Sequence, residues 1–261
     1  RHMTDESAYQ PVIRVRGLVN RFGSQTVHDG LDLDVLPGEV LGVVGGSGTG
    51  KSVLMRTIIG LNRPKAGTIE VFGQDQAKLN DKQRQSIGQC WGVLFQDGAL
   101  FSSLTVQENV EVPLKEFTNL PPALRQEIAC LKIALAGLPH DAGGKYPSEL
   151  SGGMRKRAGL ARALVMDPDI VFLDEPTAGL DPIGAAAFDQ LIRDLQSAFG
   201  LTVVMITHDL DSLYAICDRV AVLADRKVLT VAPVPELEQH PHPWLQTYFH
   251  GPRARAARPD R

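Results

Sequence analysis

From Pro11 onward apolar and polar residues alternate, Ile13 and Val15 against Arg14 and Arg16, then Leu31, Leu33 and Val35 against Asp32 and Asp34. A period of two turns one face of a strand to a core and the other to water, which predicts half-buried antiparallel strands. After the Pro37-Gly38 turn the pattern changes to continuous apolar runs, Val40 to Val44, Ile170 to Leu173 and Leu201 to Ile206. Such runs suit parallel strands covered on both faces. Between them lie helical stretches, notably Lys51 to Ile59 and Pro182 to Phe199, the second closed by Gly200 as a C-cap. The alternation is that of an α/β, doubly wound sheet.

The stretch from about 97 to 166 breaks this rhythm, with no strand pattern and several short helical ones. Thr105-Val106-Gln107-Glu108 has capping-box form. Pro121-Pro122 followed by Ala123 to Ala136 reads as a second helix, with Gly137 after it. An all-helical insert inside an α/β domain is predicted. After Ala224 a short strand pair turns around Asp225-Arg226, followed by a Pro- and His-rich stretch and a tail rich in Arg and Ala.

Composition narrows the classes. The 261 residues, 43% hydrophobic and 22% charged, suit one globular domain carrying a subdomain. With 27 basic against 30 acidic residues there is no basic surplus to mark a nucleic-acid partner. The chain has no run of about 18 apolar residues and no signal region, so it is expected neither to span a membrane nor to be exported. Cys90, Cys130 and Cys217 are odd in number and far apart, which predicts three buried, reduced thiols in a cytosolic protein. Arg1-His2-Met3 resembles a cloning scar, and His240 and His242 lack further metal ligands nearby. The tail Gly251 to Arg261 holds four Arg and one Asp. Anionic lipid headgroups, a neighbouring subunit or plain solvation all suit it.

Two motifs carry chemistry. Gly45-Gly46-Ser47-Gly48-Thr49-Gly50-Lys51-Ser52 fits G-x-x-x-x-G-K-[ST] and sits after a buried strand at the opening of a helix. Its glycines let backbone N–H groups converge on phosphate oxygens, and the helix N-terminus adds its dipole. Lys51 would reach the β- and γ-phosphates, and Ser52 would ligate Mg²⁺. Ile170-Val171-Phe172-Leu173-Asp174-Glu175 is an apolar strand ending in two carboxylates. Asp174 there would hold Mg²⁺, and Glu175 would polarise an attacking water.

Leu150-Ser151-Gly152-Gly153-Met154 resembles the signature sequence of ATP-binding cassette (ABC) ATPases, and it falls between the two motifs as in that family. Gln96, after the strand Trp91 to Phe95, is similar to the family's Q-loop glutamine, Ala178-Gly179-Leu180-Asp181 to its D-loop and Thr207-His208-Asp209 to its switch histidine. Phe22, in Arg21-Phe22-Gly23, stands where the family keeps an aromatic for adenine, although a core aromatic is the competing reading. The resemblance spans Val12 to Val231. It implies an ATPase domain over 11–231, a C-terminal extension over 232–261 and an N-terminal tail over 1–10. The implied fold is a P-loop ABC ATPase core with an antiparallel β subdomain and the helical insert.

The implied activity is ATP hydrolysis with ATP and Mg²⁺. Catalysis would fall to Glu175, His208, Lys51 and Gln96. ATP would be bound by Phe22, by Gly45, Gly46, Ser47, Gly48, Thr49, Gly50, Lys51, Ser52 and Val53, and by Ser151, Gly152, Gly153 and Asp181. Mg²⁺ would be held by Ser52, Gln96 and Asp174. The resemblance also implies a head-to-tail homodimer, in which Ser151 at its helix N-terminus completes the partner's ATP site and Asp181 couples the two. Arg155-Lys156-Arg157 reads as a solvated helix face.

Within the family, Phe95-Gln96-Asp97-Gly98-Ala99-Leu100-Phe101, Leu104 to Val110 and Pro113-Leu114 resemble the ATPase subunit of bacterial Mla (MCE-type) phospholipid transporters, as do Met154 and Glu175 to Ile183. This implies a place on the cytoplasmic face of the bacterial inner membrane and a role in outer-membrane lipid asymmetry. The partners implied are a permease docked on the helical insert beside Gln96, a small STAS-domain protein and an MCE lipid-binding subunit. The runner-up is the ATPase of an importer for amino acids or similar solutes. A small-molecule kinase would explain Lys51 and Ser52 but not Leu150 to Met154 or His208. An ABC protein acting on DNA or ribosomes would carry paired cassettes, coiled coils or zinc modules.

Overall fold

The computed structural model describes residues 10–251. They divide into two compact units, Gly88–Ile216 and the described residues on either side of it.

The flanking unit opens with β1 (Ile13–Phe22) and β2 (Gln25–Val35), paired antiparallel. Strand β3 (Val40–Gly45) and helix α1 (Lys51–Ile58) follow, then β4 (Ala66–Val71) and β5 (Gln74–Asp75), which extend the first sheet in the order β2-β1-β4-β5. Ile13, Val15, Leu31, Leu33 and Val35 are all buried, as their alternation requires. Helix α2 (Asp81–Gly88) has one buried residue, Ile87, and so little apolar signal that periodicity did not reveal it.

In the other unit β6 (Trp91–Leu94) precedes three helices, α3 (Val106–Phe117), α4 (Pro122–Leu135) and α5 (Gly152–Leu164). No strand lies between Gln96 and Met166, as the sequence predicts. Thr105 and Glu108 close a reciprocal capping box at the head of α3. Val110, Leu114, Ala129, Ile133, Ala158 and Ala161 from the three helices share one core cluster. Each larger member contributes about 1.5–3 kcal/mol by leaving water. Then come β7 (Ile170–Asp174), α6 (Pro182–Phe199), β8 (Thr202–Ile206) and α7 (Leu210–Ile216). Strands β6, β7 and β8 pair in parallel, and every residue of β7 and β8 is buried. Gly200 caps α6 in the left-handed conformation.

The chain re-enters the first unit through β9 (Arg219–Ala224), parallel to β3, and β10 (Lys227–Ala232), antiparallel to β9. Arg219 forks onto Glu39 with two contacts of 2.8 Å, and Asp218 accepts from Val40 N at 2.8 Å. These bonds fix the entry of β3 against β9. The Pro- and His-rich stretch forms two more helices, α8 (Val234–Glu238) and α9 (Pro243–His250), each with Pro in its first turn. Leu237, Leu245 and Phe249 bury them.

No helix among the described residues is long and apolar enough to cross a membrane. The cysteine reading needs correction: Cys130 is exposed on α4, and Cys90 and Cys217 are only half-buried. Cys130 falls on the outer side of α4, whose buried positions are Ala129, Lys132 and Ile133. The putting aside of Arg1-His2-Met3 and the options for the Arg-rich tail beyond Gly251 fall outside the described residues.

Candidate functional site

The phosphate loop is built in the flanking unit. Strand β3 is buried as far as Val44, and α1 begins at Lys51, so residues 45–50 form the connection that the motif predicts. Lys51 Nζ donates to Gly45 O at 2.9 Å and Gly46 O at 3.2 Å, and Thr49 Oγ1 donates to Gly46 O at 2.9 Å. The loop thus folds around its own lysine. Gly50 has φ +89°, and a Cβ there would lie 2.3 Å from Val27 Cγ1 and 2.5 Å from His28 Nε2. Only glycine fits.

His28 is fully buried beneath this turn. Asn20 Nδ2 donates to His28 Nδ1 at 2.9 Å and to Thr57 Oγ1 at 3.1 Å, and Thr57 Oγ1 donates to Val53 O at 2.7 Å. With Nδ1 accepting, the ring proton is assigned to Nε2. Burial pushes the imidazole below its usual pKa, opposed by the carbonyls of Thr49 and Gly50. Sequence reasoning passed over His28 because one histidine inside a strand carries no pattern. Ser52 and Val53 sit in the first turn of α1, and Phe22 at the end of β1 is half exposed, so it is not a core aromatic.

The carboxylates and the histidine belong to the other unit. Asp174 ends β7 with 6% of its surface exposed. Glu175 follows with φ +50°, its N–H donating to Ile206 O at 2.8 Å. His208, exposed just beyond β8, places Nδ1 2.8 Å from Glu175 Oε2. The structure therefore brings together the two residues assigned as base and switch. A polar chain runs on from here. Thr177 Oγ1 donates to Asp209 Oδ2 at 3.2 Å and lies 3.4 Å from Ser212 Oγ, which donates to Asp189 Oδ2 at 2.7 Å. Burial lifts Asp189 to about 6, with Asp209 and Asp211 adding to the rise and the Ser212 bond opposing it.

Ser151 is exposed and caps α5 by accepting from Met154 N at 3.2 Å, while Gly152 and Gly153 form its first turn. Asp181 caps α6, accepting from Ile183 N and Gly184 N at 3.0 Å each. Gln96 is exposed at the head of a single helical turn, Gln96–Gly98. Asn109 was not singled out from sequence, yet it locks the loop after that turn. It accepts from Phe101 N and donates to the carbonyls of Phe101, Leu104 and Thr105.

The reading of Arg155-Lys156-Arg157 as a solvated face is wrong. Arg155 Nη1 donates to Leu150 O at 2.7 Å, Lys156 Nζ to Glu175 O at 2.8 Å and Arg157 Nη1 to Ala136 O at 3.0 Å. Consecutive helical residues point in directions about 100° apart, and α5 has protein on each of those sides. The signal was available: Ala158, Gly159, Leu160 and Ala161 are apolar in an unbroken run, the mark of a helix buried all round. His240 and His242 act locally, their Nδ1 atoms accepting from His242 N and Trp244 N. No group of three or more His, Cys, Asp or Glu among the described residues could hold a metal ion.

Comparison with known proteins matches residues 28–178 to the family described as ABC transporter. The probable ribonucleotide transport ATP-binding protein mkl of Mycobacterium leprae is 40% identical over 92% of this chain and 69% of its own length. The intermembrane phospholipid transport system ATP-binding protein MlaF of Haemophilus influenzae is 38% identical over 84% of this chain and 83% of its own. The methionine import ATP-binding protein MetN of Mesorhizobium japonicum is 38% identical over 87% of this chain and 62% of its own. Among solved structures, the dimeric post-hydrolysis state of the ATP-binding cassette MJ0796 bound to ADP and Pi superposes with a TM-score of 0.77 at 28% identity, over 85% of this chain and 98% of that one.

Proposed function

This chain belongs to the ABC transporter family of ATP-hydrolysing subunits, and we propose that two copies of it, head to tail, drive phospholipid transport between bacterial membranes. In this reading Phe22 stacks on adenine, and the backbone of Gly45 to Ser52, continued by Val53, holds the phosphates with Lys51. Ser151, Gly152 and Gly153 of one copy close the nucleotide site of the other, and Asp181 lies at the junction of the two sites.

The donors assigned to Mg²⁺ fit the ion. The Ser52 hydroxyl, the Gln96 amide oxygen and the Asp174 carboxylate are hard oxygen ligands of the kind it takes, and a carboxylate as buried as Asp174 favours a cation beside it. The ion would neutralise charge on the phosphates. Glu175 accepts the proton of the attacking water. His208 turns from Glu175 to the γ-phosphate and steadies it, and Lys51 offsets the charge that develops there.

The phospholipid reading rests on the match to MlaF, which takes in more than four fifths of both chains. Its partners would be a permease, an MCE lipid-binding subunit and a small STAS-domain protein, with this chain peripheral on the cytoplasmic side of the inner membrane. The likeness to MetN favours the second reading, an importer ATPase for amino acids or similar solutes. Purifying the chain with its membrane partner decides between them. Lipid-type transport is upheld if the complex holds phospholipid by mass spectrometry and moves labelled phospholipid in an ATP-dependent way. ATP-dependent uptake of a soluble solute, with no lipid movement, overturns it.

A further inference from the structure

We propose that Lys156 is the positioning residue for the catalytic carboxylate, its ammonium group holding the Glu175 peptide in the conformation from which the side chain can work. The inference rests on the assignment of Glu175 as general base. Lys156 lies in the second turn of α5 with only 4% of its surface exposed, and Nζ donates to Glu175 O at 2.8 Å. Glu175 has φ +50°, a conformation that residues with side chains adopt rarely and keep only where their surroundings impose it.

Those surroundings can be counted. Glu175 N donates to Ile206 O at 2.8 Å, and Glu175 O accepts from Ala178 N at 3.2 Å and from Lys156 Nζ. The ammonium is the one charged group among these contacts. Without it the peptide is held by two backbone bonds, one of them long, and can relax toward an ordinary backbone angle. The carboxylate would then swing away from its place beside His208 Nδ1.

The location of Lys156 also makes sense of its charge. Asp97, Glu175 and Asp174 all act on it electrostatically, and burial alone pulls its pKa down. Asp97, at φ +61°, follows Gln96 directly. A lysine with a flexible stem can satisfy a carbonyl and still lie close to three carboxylates. An uncharged side chain of similar length would remove this attraction as well as the bond to the Glu175 carbonyl.

The test is steady-state ATP hydrolysis by the full chain purified with its membrane partner. Lys156→Met keeps length and loses the donor, and Lys156→Arg keeps the donor. Lys156→Met is expected to lower kcat about 10- to 100-fold, the scale of a misplacement near 1 Å, with KM for ATP within about twofold. Lys156→Arg should stay within about threefold of the parent. Should Lys156→Met fail to fold, Lys156→Leu, which also lacks a donor, carries the same expectation. A kcat within about threefold of the parent for Lys156→Met or its substitute overturns the proposal. So does equal impairment of the Arg variant, or a loss of ATP affinity that accounts for the whole effect. Glu175→Gln is measured alongside: if it turns over near normally the base assignment itself fails, whereas an inactive Glu175→Gln beside a normal Lys156→Met refutes the role of Lys156 alone.

Discussion

Nδ1 of His208 lies 2.8 Å from Oε2 of Glu175, so the proposed switch and the proposed base are hydrogen-bonded to each other. With a proton on Nδ1 the ring donates to the carboxylate. In the proposed mechanism the pair would have a second arrangement, in which the ring leaves Glu175 for the γ-phosphate.

Glu175→Gln keeps the shape and removes the basicity. It is expected to retain ATP binding, lower turnover by at least ~10²-fold and accumulate an ATP-bound dimer visible by size-exclusion chromatography. Near-normal phosphate release would refute the base assignment.

Ser151→Arg removes the hydroxyl that accepts from Met154 N and puts a bulky cation at the head of α5. Loss of the cap alone costs about 0.5–2 kcal/mol. Hydrolysis should fall sharply while ATP binding by the isolated chain, followed by equilibrium titration, stays within a few-fold. Unchanged hydrolysis would argue against completion of the site by a second copy.

Gly50→Ala and Gly48→Ala separate strain from crowding. Both positions have positive φ, +89° and +77°, but a Cβ at Gly48 meets nothing within 4 Å whereas one at Gly50 runs into Val27 and His28. Urea unfolding should show Gly50→Ala less stable than Gly48→Ala by roughly 1–3 kcal/mol, the cost of overpacking. Equal losses would mean that the packing under the loop yields.

Asp189→Asn addresses the buried carboxyl at about 6. Its folded pKa stands above the ordinary 3.8, so its favourable contribution is complete below that value and disappears as pH climbs through about 6. Asn still accepts from Ser212 and never ionises. The variant is expected to melt higher than the parent at pH 8, by roughly 1–3 kcal/mol in stability, with the gap closing toward pH 5. A gap that does not vary with pH would place the effect elsewhere.

The phosphate loop, the carboxylate strand and the capped ends of α3, α5 and α6 were legible because each is a local pattern in which a few adjacent residues fix both conformation and chemistry. Helix α2 was not legible, since Ile87 alone gives no periodicity, and α8 and α9 were hidden by the prolines that begin them. Lys156 was misread for a different reason. A basic residue on a helix is ordinarily solvated, and only the fold shows that a carbonyl 19 positions away waits for it.

Helix α5 carries Ser151 at its head and Lys156 five residues on, about 7.5 Å along the axis at 1.5 Å per residue. In the head-to-tail pair the first would answer to the partner's nucleotide and the second to the protomer's own Glu175. One rigid rod would then read one ATP and set the catalyst for the other. Thermodynamic linkage would make such a coupling reciprocal for ATP binding, so each copy's hold on its nucleotide would carry a contribution set by its twin.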